Sequence, residues 1–511
     1  MTRYVIGVDV GTYSAKGVLV DADGTVIAEH VVPYELSIPR PGWAEHDADA
    51  IWWSSLTTIT RALLESSGVP AEAVAAVGTS AIGVTMLPLD AAGRPLRPSI
   101  LYGIDTRAWR EIEELDAALG QDAIFERAGK RLSTQSVGPK LLWFRKNEPE
   151  LFSRTRSVVT ANSYLTFRLT GELTLDRYSA PAFAPYFDLA ADRWVDWADD
   201  LIAPHTLLPK VHGSADVIGT VTSAAAAETG LAVGTPVITG TTDAASEALS
   251  VGVVDPGDTM LMHGTTLFII QVQGSWVKHP NLWSSTYVQP GRYSLAAGLA
   301  TSAALTRWFR DEFGHAELAA QAAGGVDAFA ALSTLAASSP VGARGLVALP
   351  YFSGERTPIG DPKARGVLAG LTLSHKRADV YRALLEGVAY ALRHNLDVMA
   401  ETGGGQRRLV GVGGGTKSEL WMQIFADVLG EPQEIPATTV GASYGDACMA
   451  ALAAGLVDGW SDIHRWVRVD RVVEPDPAAH EAYAAYYAVF RELYPATREL
   501  QHRLADLGAE G

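Results

Sequence analysis

YVIGVDVGTYSAKGVLV, residues 4–20, sets two runs rich in Val and Ile on either side of a Gly-Thr turn, and the rest of the chain is read from it. YVIGVDV at 4–10 and GVLV at 17–20 read as strands, with GTYSAK as the connection between them. A second turn, DADG, leads into TVIAEHVV, so the chain opens on a three-stranded β-meander. The plan recurs about half a chain later: TMLMHGTTLFIIQV at 259–272 is again strand, Gly-Thr turn, strand, with RYSLAAG as a third strand. Helix and strand signals follow each meander, DADAIWWSSLTTITRALLESS then AVAAVGTS in the first half, ADVYRALLEGVAYALRHNLDVM then RLVGVGGG in the second. This period is far longer than that of a solenoid. Two similar α/β domains are expected to face each other, each a mixed sheet with helices on its faces.

Bulk properties bound the function. A chain of 511 residues exceeds what one core usually supports. The boundary is expected near 247–258, at SVGVVDPGD, giving domains of 1–250 and 251–511. Residues 475–507 read as a C-terminal helix or helix pair against a domain face, and the Ala-rich runs near 224 and 330 read as plain helix. A net charge of -17 argues against a nucleic-acid or anionic-membrane footprint and favours a neutral or metal-escorted small substrate. The single cysteine, Cys448, forms no internal disulfide and lies in no Cys/His cluster at zinc spacing, which suits a reducing compartment. The N-terminal apolar stretch is too short for a secretion signal, and no run reaches about 18 apolar residues. A cytoplasmic protein is expected, with no nucleic-acid or membrane partner; a homodimer stays open.

GTTDAAS at 240–246 follows the apolar run PVIT and puts Asp243 where a strand stops and a helix starts. Taken alone, such an aspartate is a helix cap. Three turns nearby in pattern ask for a common role: DVGTYSAK at 9–16, HGTT at 263–266, and GVGGGTKSELW at 411–421. Outward backbone N–H groups flanked by Thr hydroxyls suit phosphate oxygens. Asp9 beside them would need Mg2+ or its water between carboxylate and phosphate. Consecutive glycines at 413–415 allow a ligand close to the backbone. Each feature separately is an ordinary turn.

Together they resemble the actin-like ATPase superfamily, and within it the chain is identified as a member of the FGGY carbohydrate kinases. The matching segments run in the family's order: GVDVGTYSAKGVLVD, WAEHDADAIWW, RPLRPSILY, PKLLWFRKNEPELF, YLTFRLTGE, TGLAVGTPVITGTTDAAS, PYFSGERTPIGDPKARGVLAGL, RALLEGVAYALR and GVGGGTKSELWMQIFADVLG. WAEHDADAIWW and PYFSGERTP are most similar to xylulokinases. The resemblance implies an α/β fold of two actin-like (ribonuclease H-like) domains flanking a deep catalytic cleft, with sugar bound by the first domain and nucleotide by the second. It implies transfer of the γ-phosphate of ATP, with Mg2+, to a hydroxyl of a small sugar, a ketopentose such as xylulose, or another ketose or polyol such as ribulose, erythrulose, erythritol or glycerol. By the same resemblance Asp243 is the general base and a sugar contact, and Asp9 holds Mg2+ through water. Gly11, Thr12, Lys16, Gly264 and Thr265 meet the phosphates, while Gly413, Gly414, Gly415, Ser418 and Arg307 lie toward the adenosine. A general base within hydrogen-bond reach of the hydroxyl fits a reaction that needs mainly positioning and charge stabilisation.

The sugar pocket departs from the pattern. Where xylulokinases carry Gln-Met-His-Gly and glycerol kinases Gln-Arg-Glu, this chain has Ser80, Ala81, Ile82 and Gly83. Ala81 and Ile82 thus stand at substrate-contact positions without a polar donor, which bears on specificity. The Trp-Asn-Asp segment becomes YGIDTR, and Asp105 is either a sugar ligand or a solvated ion-pair partner. Trp52 and Trp53 fall on an amphipathic helix and read as core, and Glu355 and Arg356 could pair across the crevice or within one domain. A dehydrogenase fails because GVGGGT lacks the third Gly or Ala and follows no N-terminal βαβ unit. Hydrolase and P-loop patterns do not occur. A catalytically silent nucleotide or sugar sensor is the remaining rival class.

Overall fold

The computed structural model describes residues 3–403, 408–437 and 440–509. The opening meander forms as expected: β1 (Tyr4–Val10), β2 (Ser14–Asp21) and β3 (Val26–Pro33) pair antiparallel in register Asp9↔Lys16 and Lys16↔Val31. After helix α1 (Ser54–Ser67), β4 (Val74–Ala81) runs parallel to β1. β5 (Val217–Thr220), β6 (Pro236–Ile238) and the short β7 (Thr241–Thr242) complete the sheet in the order β5-β6-β4-β1-β2-β3, with β7 also on β4. Every residue of β4 is buried, because both sheet faces are covered, and VAAVGTSA accordingly lacks alternation. At the edge, β3 alternates half-buried and exposed residues.

Helix α2 (Asp243–Ser250) leaves β7 and leads to the second meander, β8 (Asp258–His263), β9 (Leu267–Gln273), β10 (Trp283–Thr286) and β11 (Tyr293–Leu299). Next come α3 (Ala303–Phe313), α4 (Arg377–Ala400), β12 (Arg408–Val412), α5 (Glu419–Leu429), β13 (Gln433–Pro436), α6 (Ala442–Ala453) and β14 (Val469–Val473). Their sheet order, β10-β11-β9-β8-β12-β13-β14, repeats the first sheet's plan of an antiparallel meander followed by parallel strands. Val8-Asp9-Val10-Gly11-Thr12 therefore corresponds to Leu261-Met262-His263-Gly264-Thr265. The C-terminal segment is one helix, α7 (Pro477–Ala509), continuous through Pro495, rather than a pair. The chain between β4 and β5 adds a layer with its own core around Phe144, Phe183 and Tyr186, which hydrophobic periodicity had not separated from the sheet.

Helices α2 and α6 lie between the two sheets. They share one core with Val5, Ala76 and Ile238 of the first sheet and Met260, Val410 and Val412 of the second. Close approach comes from a glycine pair: Gly7 and Gly78 are register partners on β1 and β4. A Cβ at Gly7 would lie 1.9 Å from the Ser443 carbonyl oxygen, and one at Gly78 2.4 Å from that of Asp446. A helix from the second half of the chain thus rests backbone to backbone on the first sheet.

Candidate active site

Four strands end together at the crevice, and their register sets side chains in rows. Lys16, Asp9, Ser80 and Thr241 stand opposite one another across β2, β1, β4 and β7, and the next row is Ala15, Val10, Ala81 and Thr242. Asp243 follows directly as the first residue of α2, with Thr242 as N-cap in extended conformation. Its Oδ1 accepts the Ala244 N–H at 2.8 Å. Asp243 thus combines the helix-terminus position with a place beside Asp9.

Burial, then the charge of Asp9, pushes the Asp243 carboxyl up to about 7. Burial raises Asp9 to about 6 against the opposing hydrogen bond from Ser80 and the charge of Lys16. Glu247, one turn beyond Asp243 on α2, is likewise pushed up to about 7 by burial and then by Asp9. Lys16 lowers both Asp9 and Glu247, and its ammonium also lies 3.9 Å from Glu29.

The first Gly-Thr turn is held from behind. Tyr34 donates its hydroxyl to the Gly11 carbonyl at 2.7 Å, and Thr12 Oγ1 meets the Tyr102 hydroxyl at 3.1 Å. His46 accepts the Trp52 indole N–H on Nδ1 at 3.0 Å, which leaves its proton on Nε2. Charge from Asp243 reaches Tyr34, Tyr102 and Tyr178, whose phenols burial raises first. These three tyrosines lie within electrostatic reach of the carboxylate, and of them only Tyr102 falls in a segment singled out in the sequence, YGIDTR.

The second turn is tied to a helix start. The Gly264 carbonyl accepts from Ala303, and the Thr265 carbonyl from Ser302 and Ala304, at 3.0–3.1 Å. Arg307 lies one turn further along α3, exposed. Beyond β12, Gly413 has φ +92° and packs on His263, whose carbonyl oxygen lies 2.8 Å from where a Cβ would stand. Gly414 has nothing within 4 Å of such a Cβ, so its surface is open, while Gly415 is packed on His263. Ser418 caps α5 by accepting the Trp421 N–H at 3.3 Å.

Three sequence expectations change. Ala81 and Ile82 are 1% and 2% exposed and belong to the apolar core with Trp52 and Leu101, so their side chains do not reach the crevice. Asp105 is no free ligand: its oxygens accept from Arg107 at 2.7–3.1 Å and from the Ala44 N–H at 2.8 Å, with both side chains fully buried. Polar residues flanking a turn carry no sign of this burial in sequence. Glu355 accepts the backbone N–H groups of Ala300 and Arg356, within its own half of the chain. Trp52 and Trp53 are core, as read.

Two duplicated α/β lobes, with a half-buried carboxylate at a strand-helix junction between two Gly-Thr hairpins, define the class of actin-like, ribonuclease H-like phosphotransferases. Residues 4–250 match the N-terminal domain and 259–454 the C-terminal domain of the FGGY family of carbohydrate kinases. The chain is 30% identical over 496 residues to a xylulose kinase of Escherichia coli strain K12, covering 96% of this chain and 98% of that one. It is 32% identical over 505 residues to a glycerol kinase of Nocardia farcinica, covering 94% and 97%. The crystal structure of xylulose kinase from Rhodospirillum rubrum superposes with a TM-score of 0.90 at 35% identity, over 98% of this chain and 100% of that one. The chain belongs to the FGGY family of carbohydrate kinases, and its activity is ATP-dependent phosphorylation of a sugar.

Proposed function

We propose that the chain phosphorylates a ketopentose of the xylulose type, with Asp243 as general base. The observation that carries the base assignment is the position of Asp243, which opens α2 directly after β7 at the end of the row that holds Asp9 and Ser80, and its carboxyl is raised to about 7. A base poised near working pH accepts a proton most effectively as the sugar hydroxyl attacks. The backbone N–H groups of the Gly11–Thr12 and Gly264–Thr265 turns receive the phosphates from the two lobes, and Lys16 adds charge on the first side. Gly414 leaves room for the nucleoside. The first half of the chain, to about residue 250, binds sugar and the second binds nucleotide.

Mg2+ fits this donor set. Asp9, Asp243 and Glu247 are half-buried oxygen donors, all raised, with Lys16 as counter-charge to two of them. Asp9 would hold the ion, through water, and the ion would neutralise charge on the transferring phosphates. The chain's own contribution is to orient the hydroxyl, accept its proton at Asp243 and exclude water when the lobes close.

The xylulose kinase relatives support the ketopentose. A polyol is the second reading, favoured by the glycerol kinase relative. Coupled ADP release with xylulose, ribulose, erythritol and glycerol decides between them: the highest kcat/KM with xylulose is expected, and turnover of glycerol alone would overturn it.

A further inference from the structure

Asp446 is an aspartate in the middle of α6, in GASYGDACMAALAAG, where small apolar residues surround it. It is completely buried. Its Oδ2 lies 2.8 Å from Ser80 Oγ, and its Oδ1 2.8 Å from Ser246 Oγ. Ser80 Oγ in turn lies 2.9 Å from Asp9 Oδ1. The four residues come from β1, β4, α2 and α6, so the chain of contacts joins both halves of the molecule beneath the crevice.

We propose that Asp446 is a positioning residue: from the second half of the chain it turns the Ser80 hydroxyl toward Asp9 and thereby fixes the carboxylate that meets the nucleotide's metal. This rests on the reading of Asp9 given above. Counting hydrogens supports it. Ser80 has one hydroxyl hydrogen and two carboxyl neighbours, so an ionised Asp446 would compete with Asp9 for it. A neutral Asp446 donates from Oδ2 to Ser80 Oγ, which frees the Ser80 hydrogen for Asp9 Oδ1. Ser246 Oγ lies 2.8 Å from both Oδ1 of Asp446 and the Ala442 carbonyl, so its one hydrogen is shared between these two acceptors. Burial, followed by the charge of Asp9, pushes the Asp446 carboxyl well above the usual carboxylate range, in keeping with the neutral form. The backbone contact of Gly78 with Asp446, 2.4 Å from a Cβ position, leaves α6 little freedom to slide. Partners that orient a metal-facing group typically change metal affinity 10–100-fold when removed.

The test is calorimetric titration of ATP at several Mg2+ concentrations, which reads binding without turnover, alongside thermal melting. Asp446→Ala is expected to raise the Mg2+ concentration for half-maximal ATP binding about tenfold. Asp446→Asn, which can still donate to Ser80 and accept from Ser246, is expected to stay within about threefold of the parent. Ser80→Ala removes a single oxygen and reads the same link if Asp446→Ala does not fold. The double variant is expected to be no worse than either single one, as members of one network are not additive. Parent-like Mg2+ dependence in both alanine variants, equal loss in the Asn and Ala variants, or additive losses would each overturn the inference. Asp9→Asn separates the two levels. If it leaves Mg2+ dependence unchanged, the reading of Asp9 falls; if it shifts while Asp446→Ala and Ser80→Ala do not, only the positioning role falls.

Discussion

Asp9 stands on β1 and Asp243 opens α2 directly after β7, with β4 and its Ser80 between the two strands, and the charge of Asp9 adds to burial in raising the Asp243 carboxyl to about 7. The proton affinity of one is therefore set in part by the charge of the other.

Replacing Asp243 tests the base. Asp243→Asn is expected to lower kcat by at least about 100-fold, the low end of what a positioned base supplies. ATP binding by calorimetry should persist. Turnover within tenfold of the parent would remove Asp243 from the chemistry.

The pH profile follows from the sign of the shift. Below about pH 7 Asp243 carries its proton and cannot accept another, so kcat/KM for the sugar is expected to fall about tenfold per pH unit on the acid side. Loss of that limb in Asp243→Asn, measured on residual activity, assigns it. A limb centred near pH 4 would contradict the raised carboxyl.

Stability shows the same shift from the other side. A carboxyl raised in the folded state is best tolerated when protonated, so the penalty is absent below the unfolded value near 4 and grows as pH rises through about 7. Ligand-free Asp243→Asn is expected to melt a few degrees above the parent at pH 8 and level with it at pH 4. Equal melting at both values would show that the crevice does not strain this group.

Gly413 and Gly414 separate folding from nucleotide approach. Gly413→Ala forces a side chain at φ +92° against the His263 carbonyl and is expected to cost on the order of 2 kcal/mol, visible in thermal melting. Gly414→Ala meets no protein atom, so melting should be unchanged while the KM for ATP rises about tenfold, equivalent to about 1.4 kcal/mol. Unchanged ATP kinetics in Gly414→Ala would place the nucleoside elsewhere.

Asp105 offers a contrast. Removing one member of its buried pair with Arg107 is expected to cost about 3–5 kcal/mol. Asp105→Ala should therefore lower the melting temperature strongly and reduce active protein without selectively raising the sugar KM. A selective KM effect in a stably folded variant would return Asp105 to the sugar pocket.

Much of this was legible from the chain. The two meanders and their Gly-Thr turns are local patterns, and strand periodicity with turn chemistry reports such patterns directly. Asp243 was locatable for the same reason, since strand-to-helix junctions leave a compact signature. Tyr34 and Tyr178 were not, because each is brought toward Asp243 by tertiary packing from a segment with no motif of its own, while Tyr102 opens the YGIDTR segment in which Asp105 drew the reading instead. Asp105 and Ile82 misled in opposite ways: one is a polar residue whose partner is buried with it, the other an apolar residue at an expected contact position that the core absorbs. Asp446 left a trace, an acid amid alanines, but only its distance to Ser80 gives that trace a meaning.

The glycine pair under α6 has a consequence for recombination between relatives. Gly7 and Gly78 belong to the first quarter of the sequence, whereas the backbone they admit, from Ser443 to Asp446, belongs to the last. A chimera joined near residue 250 would inherit seat and occupant from different parents. Such a hybrid would assemble only where both parents keep the bare strands and the thin helix, so these distant stretches must be exchanged as one unit.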